Sequence, residues 1–382
     1  MAERIPFWLP QVGGDEAAGL QAVLESNFLN DGPVTARFEE ELGALVGAKY
    51  VVTSTSGTTA LFLALAAAGV GHGDEVIVPD VTFIASANAV TLTGATPVLV
   101  DVDPGTMCIC PEAAERAVTS RTKAIMPVHV SGRPADMRAI VELAKRRGLV
   151  VVEDAAEGLL SKSGGRCLGT IGNAGCFSFS PNKTITTGQG GAVVTDDEQL
   201  FVRMRELKDQ GRPARGTGGA DTHVSLGFNF KFTNLQAAVG LAQLKRLPER
   251  IERLRRLYEI YADRLAGVDE VEVLPFDLAG GGCPQWVDVF AERRDALDDH
   301  LRRHGMGCRK FWFPLHTQAP YLRPDAEFPV STRSVPRALW LPSAFTIRDE
   351  ECVEVCERIR EFYGAARDVR RDAAAVGQGA RG

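Results

Sequence analysis

FSFSPNKTITTGQGG, the stretch Phe177–Gly191, sets a lysine between two apolar, strand-like runs. Aromatic and small residues lead into Lys183, β-branched residues follow it, and a glycine run closes the segment. A lysine ordinarily keeps its ammonium in water on a loop, and these residues by themselves do not depart from that. The flanks carry more information, because Cys176–Phe179 and Ala192–Thr195 read as short strands. Lys183 then stands on a connection just past a strand, and the rest of the chain decides its role.

Upstream, Asp15–Leu24 and Val34–Leu45 have helical spacing, Tyr50–Thr53 is strand-like, and Ser56, Gly57 and Thr58 open an Ala/Leu-rich helix to about Ala68. Glu75–Val78, Thr96–Val100, Ala124–Val128 and Leu149–Val152 read as further strands, with helices over Phe83–Leu92 and Ala135–Arg147. Strands alternating with helices imply right-handed crossovers and a mostly parallel sheet covered on both faces. Ligands of such sheets gather beyond the carboxyl ends of strands, and Asp154 sits at one of those ends.

Downstream, a polar, glycine-rich loop over Gly211–Asp221 precedes a long helical pattern, Leu235–Glu259, broken near Pro248. Past the run Gly280–Gly282, strands near Gln285–Phe290 and Cys308–Phe311 and helices over Arg293–His304 and Asp349–Phe362 predict a smaller α+β unit. The division expected is 1–250 for a large domain with an N-terminal arm, 251–365 for the small C-terminal domain, and 366–382 for a disordered Arg/Ala/Gly-rich tail.

At 382 residues and 45% hydrophobic content, the chain can bury a sizeable core. Its net charge of -6 argues against nucleic acid or an anionic membrane as the main partner. The basic runs Lys145–Arg147 and Arg253–Arg256 lie in helical patterns and read as solvated faces. No apolar leader follows Met1, and the longest apolar run, Ala60–Val70, is too short to span a bilayer, so a cytoplasmic protein is expected. The cysteines lack zinc-site spacing and read as free thiols, and the scattered histidines form no metal motif.

Three features converge on one chemistry. A helix beginning Ser56-Gly57-Thr58 offers free backbone N–H groups and the positive end of its dipole to a phosphate. A buried carboxylate at Asp154 can keep a pyridine nitrogen protonated, and Lys183 can join a carbonyl as a Schiff base. Together these are the parts that pyridoxal phosphate requires. Each has a plainer reading alone: small residues often start helices, and a strand ending Glu-Asp is often a capped turn. Their order along the chain is what joins them.

The runs TSTSGTTAL, VTFIASANAV, VVEDAAEGL, FSFSPNKTITTGQGGAVVT and GFNFKFTNLQAAVGLAQL resemble, in that order, the signatures of the pyridoxal-phosphate-dependent nucleotide-sugar aminotransferases. The resemblance is dense over roughly residues 6–250 and looser to about 362. It implies the α/β fold of aspartate aminotransferase, PLP fold type I, with a mostly parallel seven-stranded sheet covered by helices and a smaller α+β C-terminal domain. By the same resemblance, Lys183 carries the cofactor and moves protons, Asp154 partners the pyridine nitrogen, Phe83 stacks on one ring face and Ala156 lies against the other. Gly57, Thr58 and Ser178 would hold the phosphate, while Asn229 would reach the phosphate of a neighbouring subunit, making a homodimer with shared active sites. Glu157 stands where relatives often have a glutamine near the cofactor's phenolic oxygen, and Ser180 where many have a larger residue facing the substrate.

In this family L-glutamate usually supplies the amine, leaving pyridoxamine phosphate to aminate a nucleotide-linked ketosugar. TITTGQGG is more similar to members that aminate C4 of a 4-keto-6-deoxyhexose; a C3 ketosugar or an inosose is the alternative acceptor. Sugar dehydratases of the family replace the lysine by histidine, and a non-catalytic sensor would have lost Lys183 or Asp154, so amino transfer is favoured over both. The segment CRKFWFPLHTQAPY, Cys308–Tyr321, resembles one that closes over the sugar. His316, Lys231 and Ser180 are the candidate substrate contacts, and Arg212 is a further cation able to meet a diphosphate. Phe311, Trp312 and Phe313 are open to two readings, stacking surface or small-domain core.

Overall fold

The computed structural model describes residues 3–213 and 221–379, with side chains described as far as Gly364. Helices α1 (Glu16–Ser26) and α2 (Pro33–Val46) precede an alternating series: β1 (Tyr50–Ser54), α3 (Gly57–Ala67), β2 (Glu75–Pro79), α4 (Ala85–Leu92) and β3 (Thr96–Val100). It continues through α5 (Pro111–Arg116), β4 (Thr122–Ile125), α6 (Met137–Arg147) and β5 (Val150–Asp154). A short hairpin, β6 (Lys162–Ser163) and β7 (Arg166–Cys167), leads to β8 (Ala174–Ser178), β9 (Gly191–Thr195), α7 (Glu198–Lys208), α8 (Asn234–Lys245) and α9 (Leu247–Leu265). The chain ends with β10 (Val271–Val273), β11 (Val287–Ala291), α10 (Arg294–Arg303), β12 (Arg309–Lys310), α11 (Pro329–Ser334), β13 (Ala338–Leu341) and α12 (Asp349–Gly379).

The large sheet has seven strands in the order β1-β9-β8-β5-β4-β2-β3. β8, β5, β4, β2 and β3 are joined by parallel pairings, and β9 alone runs against its two neighbours. The mostly parallel seven-stranded sheet expected from the sequence is therefore present, and its one reversal is the connection that carries Lys183. Strands covered by helices on both faces need apolar residues along their whole length. β2 (EVIVP), after its first residue, and β9 (GAVVT), up to its last, meet that need, and both strands are buried throughout. α3 is buried from Ala60 to Leu65 and packs against β8, β9, α4 and α7, as befits a helix with no polar face.

A second, antiparallel sheet has the order β10-β11-β13-β12. Its core joins Val287, Val289 and Leu339 to Leu257 and Tyr261 of α9 and to Cys352, Val355 and Ile359 of α12. The helical break expected near Pro248 separates α8 from α9, since proline fits the first turn of a new helix but not the interior of an old one. The boundary placed at residue 250 instead falls inside α9. That helix starts in the large-domain core with Leu247 and ends in the small-domain core with Leu257 to Leu265, so no linker marks the change. α12 also continues to Gly379 through the stretch read as a disordered tail. Most of the loop Gly211–Asp221 lies outside the described residues. No helix among the described residues is long and apolar enough to cross a membrane, and no group of His, Cys, Asp or Glu among them is arranged to hold a metal.

Candidate active site

Successive side chains on a strand point to opposite faces, so the last two residues of β5 enter different surroundings. The Glu153 carboxylate is fully buried; it accepts N–H bonds from Gly169 (2.8 Å), Ile171 (2.6 Å) and Gly172 (2.6 Å) and lies 2.9 Å from His129 Nε2. His129 Nδ1 accepts the Ala135 N–H at 3.2 Å, which leaves Nε2 as the donor to Glu153. Asp154 lines a cavity of about 390 Å³ at the carboxyl ends of the large sheet's strands. Its Oδ2 accepts the Ser86 hydroxyl (2.7 Å) and its Oδ1 the Ala156 N–H (3.2 Å).

The N-terminus of α3 opens on the same cavity. Ser56 Oγ accepts the Thr59 N–H (3.2 Å) and Thr59 Oγ1 accepts the Ser56 N–H (3.0 Å), a reciprocal cap that leaves the amides of Gly57 and Thr58 without an intrahelical acceptor. The register Ser54↔Gly191↔Ser178 carries Ser178 to this helix end. A Cβ on Gly57 would lie 2.9 Å from the Ser178 Cβ, and one on Gly191 would lie 2.3 Å from the Ser56 carbonyl oxygen. Both glycines are thus required for the strand ends to meet the helix.

Lys183 enters from a turn in which its N–H donates to the Ser180 carbonyl (3.0 Å). Its Nζ donates to Glu157 Oε1 at 3.0 Å and lies 5.1 Å from the centroid of the Trp286 ring. Glu157 Oε2 accepts the Ser131 N–H at 2.8 Å. Burial pushes the Glu157 carboxyl upward from its ordinary pKa, and the nearby Lys183 charge opposes that push.

The cavity wall therefore brings together Gly57, Thr58, Ser178, Lys183 and Asp154 with Phe83, Ala156, Glu157 and Ser180. Two residues expected to contact the substrate lie apart from it. His316 is 1% exposed, held against Asp80 by its backbone N–H (2.8 Å) and Nδ1 (2.7 Å) and stacked on Phe328. Lys231 pairs with Asp209 at 2.9 Å, a carboxylate that also takes Arg212 at 3.2 Å. Asn229 is exposed, with its backbone bridged to Asp209. Among the three aromatics with two readings, Phe311 is core and stacks on Trp340, Trp312 lines the cavity, and Phe313 is exposed.

Sequence reading missed Ser86 and Trp286. Ser86 comes one helical turn after Phe83 inside the quoted run VTFIASANAV, a spacing that places both near one site. Trp286 immediately precedes β11, an inner strand of the small sheet, and no local pattern announces its place at the cavity.

The residues present fit pyridoxal phosphate: free helix-terminal amides beside a hydroxyl for the phosphate, a carboxylate for the ring nitrogen, and a primary amine, all on one cavity. The mostly parallel seven-stranded sheet is that of the PLP-dependent enzymes of fold type I. The chain belongs to the DegT/DnrJ/EryC1/StrS aminotransferase family, whose model matches residues 10–360. It is 38% identical over 364 residues to GDP-perosamine synthase of Escherichia coli O157:H7, covering 94% of this chain and 98% of that protein. Among solved structures, DesV of S. venezuelae is similar with a TM-score of 0.86 at 35% identity, covering 91% of this chain and 94% of that one. DesI, solved in the presence of its TDP-sugar product, has a TM-score of 0.88 at 31% identity, covering 98% and 96%.

Proposed function

We propose that this aminotransferase moves the amino group of L-glutamate to C4 of a nucleotide-linked 4-keto-6-deoxyhexose, with pyridoxal phosphate held in the cavity. The observation that carries the reading is the convergence of Lys183, Asp154 and the α3 N-terminus on that one cavity. When bound, the cofactor supplies an electron-accepting ring and a carbonyl that exchanges oxygen for nitrogen. The Gly57 and Thr58 amides and the Ser178 hydroxyl would hold its phosphate, and Phe83 and Ala156 line the same cavity where its ring would lie. Asp154, fixed by Ser86, keeps a proton on the ring nitrogen. Lys183 Nζ removes the proton from the α-carbon of glutamate and, in the second half of the cycle, delivers one to C4 of the sugar.

The names of the relatives, GDP-perosamine synthase and a DesI with a TDP-sugar product, support a nucleoside diphosphate as the carrier. The similarity of TITTGQGG to the C4-acting members supports the position of amination. Asn229, outside its own cavity, adjoins Phe228 and the 90% exposed Leu226, and Phe83 at the cavity is 53% exposed. Apolar side chains left open in this way support a homodimer in which Asn229 serves the neighbouring site.

The test is the visible spectrum of the protein with added pyridoxal phosphate, before and after L-glutamate, and then with GDP- and TDP-linked 4-keto and 3-keto sugars. Glutamate should bleach the band of the lysine-bound cofactor, and a 4-keto sugar should restore it. A band that only a 3-keto sugar restores would move the amination to C3, and no band at all would overturn the assignment.

A further inference from the structure

We infer that Glu157 is the resting partner of the Lys183 amine whenever that amine is not joined to the cofactor, and that it stabilises the ammonium state Lys183 passes through after taking a proton. The inference rests on the role of Lys183 proposed above. Glu157 acts here as a positioning residue, and no bond beyond the shared proton is made or broken.

The geometry is that of a closed pair. Nζ and Oε1 are 3.0 Å apart, with the two side chains only 12% and 5% exposed, so water and salt screen the attraction little. The other carboxylate oxygen is fixed by the Ser131 N–H at 2.8 Å. Ser131 is in turn clamped by the small domain: its carbonyl accepts the Gln285 N–H (2.8 Å) and its hydroxyl oxygen accepts the Trp340 Nε1–H (2.9 Å). Next to Gln285, the Trp286 ring faces Nζ at 5.1 Å, a contact that attracts an ammonium far more than a neutral amine. The large domain thus aims a carboxylate at Lys183 and the small domain an aromatic face, and both favour the charged state.

The other ionisable groups on the cavity do not compete for this role. Asp154 is engaged by Ser86 and the Ala156 amide, His129 has both ring nitrogens committed, and Arg309 carries the same sign of charge as the ammonium. Glu157 is the carboxylate bonded to Lys183 among the described residues. A glutamine at this position has one acceptor oxygen in place of two, so it can keep the bond from the Ser131 N–H while losing both the charge and the acceptor that Lys183 uses. Burial raises the pKa of Glu157, and the Lys183 charge and the Ser131 amide act against that rise. Removing the lysine charge should therefore push the Glu157 carboxyl further upward.

Two measurements on cofactor-free protein test this. In the first, a small acylating reagent is applied at mildly alkaline pH and the Lys183 peptide is quantified by mass spectrometry, with and without pyridoxal phosphate as protectant. Glu157→Gln retains an acceptor for the Ser131 amide but none for Lys183, and its Lys183 should label about tenfold faster than in the wild type, because the charge-assisted bond that holds Nζ at 3.0 Å is gone. The exposed Lys245 should label at the wild-type rate in both proteins. In the second, the protonated-carboxyl infrared band is followed against pH in wild type, Lys183→Met and the Lys183→Met/Glu157→Gln double variant. In Lys183→Met a band should persist to higher pH than in the wild type, and it should be missing from the double variant. Equal labelling of Lys183 in wild type and Glu157→Gln, or a Glu157 band that disappears at the same pH in wild type and Lys183→Met, overturns the inference while leaving the proposed function standing. Failure of pyridoxal phosphate to protect Lys183 in the wild type overturns the proposed function, and this inference with it.

Discussion

The two rims of the seven-stranded sheet treat polar side chains in opposite ways. At the amino rim three of them are engaged by near neighbours. Glu75, the first residue of β2, is bonded by Thr119 and by Arg121 Nε (3.0 Å); Asp196 accepts the Lys49 N–H (2.9 Å); Asn173 accepts the Val151 N–H (2.9 Å). At the carboxyl rim Asp154, Glu157, Ser178 and Lys183 share one cavity with the free amides of α3. Position at the carboxyl rim is not sufficient, however: Asp80, just past β2, is fully buried and bonded by His316 and Ser331. The difference teaches that a ligand site needs strand ends whose connections diverge enough to leave space, and that a rim where segments pack closely turns the same residue types into fasteners.

The sharpest way to break this contrast is Lys183→Ala. It should lower turnover by about a thousandfold or more and abolish the band of the lysine-bound cofactor, with the circular dichroism spectrum of the folded protein retained. Substantial remaining transamination would remove the lysine from the chemistry. Asp154→Asn should cost about a hundredfold to a thousandfold in kcat, since a group aimed at developing charge is lost. Ser86→Ala removes one bond to that carboxylate and should cost about tenfold, the equivalent of one charge-assisted hydrogen bond. An unchanged rate in Asp154→Asn would mean that another group holds the ring-nitrogen proton.

A smaller effect tests whether the carboxyl rim is completed by a second copy. Lys183→Ala and Asn229→Ala subunits, each impaired alone, should recover about a quarter of wild-type activity when mixed, because half of the random dimers are mixed and each of those has one intact site. No recovery, once subunit exchange has been shown by mass spectrometry, would confine the site to one chain.

Much of the carboxyl rim was legible in the sequence because its residues lie within short runs that end at strands: Ser56 to Thr58 after β1, Asp154 to Glu157 at the end of β5, Ser178 to Lys183 after β8. Each run carries its own helix or strand signal, so pattern and position coincide. The small domain was harder to read. β10 has three residues and β13 four (ALWL), too few for an alternation to declare itself, and both exist through pairing with β11. α7 was unread although Asp197 caps it, accepting the Gln199 (2.8 Å) and Leu200 (3.1 Å) amides, a signal that was there to use. His316 is the instructive failure. Its neighbours Trp312 and Phe313 reach the cavity or solvent, while it turns inward to Asp80, and a local sequence holds no record of which way a side chain in a loop will turn.

The amino rim yields the smallest effect, and it separates fastening from function. The Thr119 hydroxyl, first, and the Arg121 guanidinium hold the Glu75 carboxyl below its ordinary pKa of 4.5. A carboxyl whose pKa is depressed by folding contributes stability above its unfolded value and loses it as pH falls through the lower, folded value. Arg121 is largely exposed, so the pair is worth less than about 1 kcal/mol. Glu75→Gln should therefore lower the melting temperature slightly at neutral pH, the deficit should shrink once the pH drops below the ordinary carboxyl range, and kcat and KM should stay at wild-type values throughout. A change in either kinetic constant would show that the two rims are coupled, and that packing at one end of β2 is felt through Asp80 at the other.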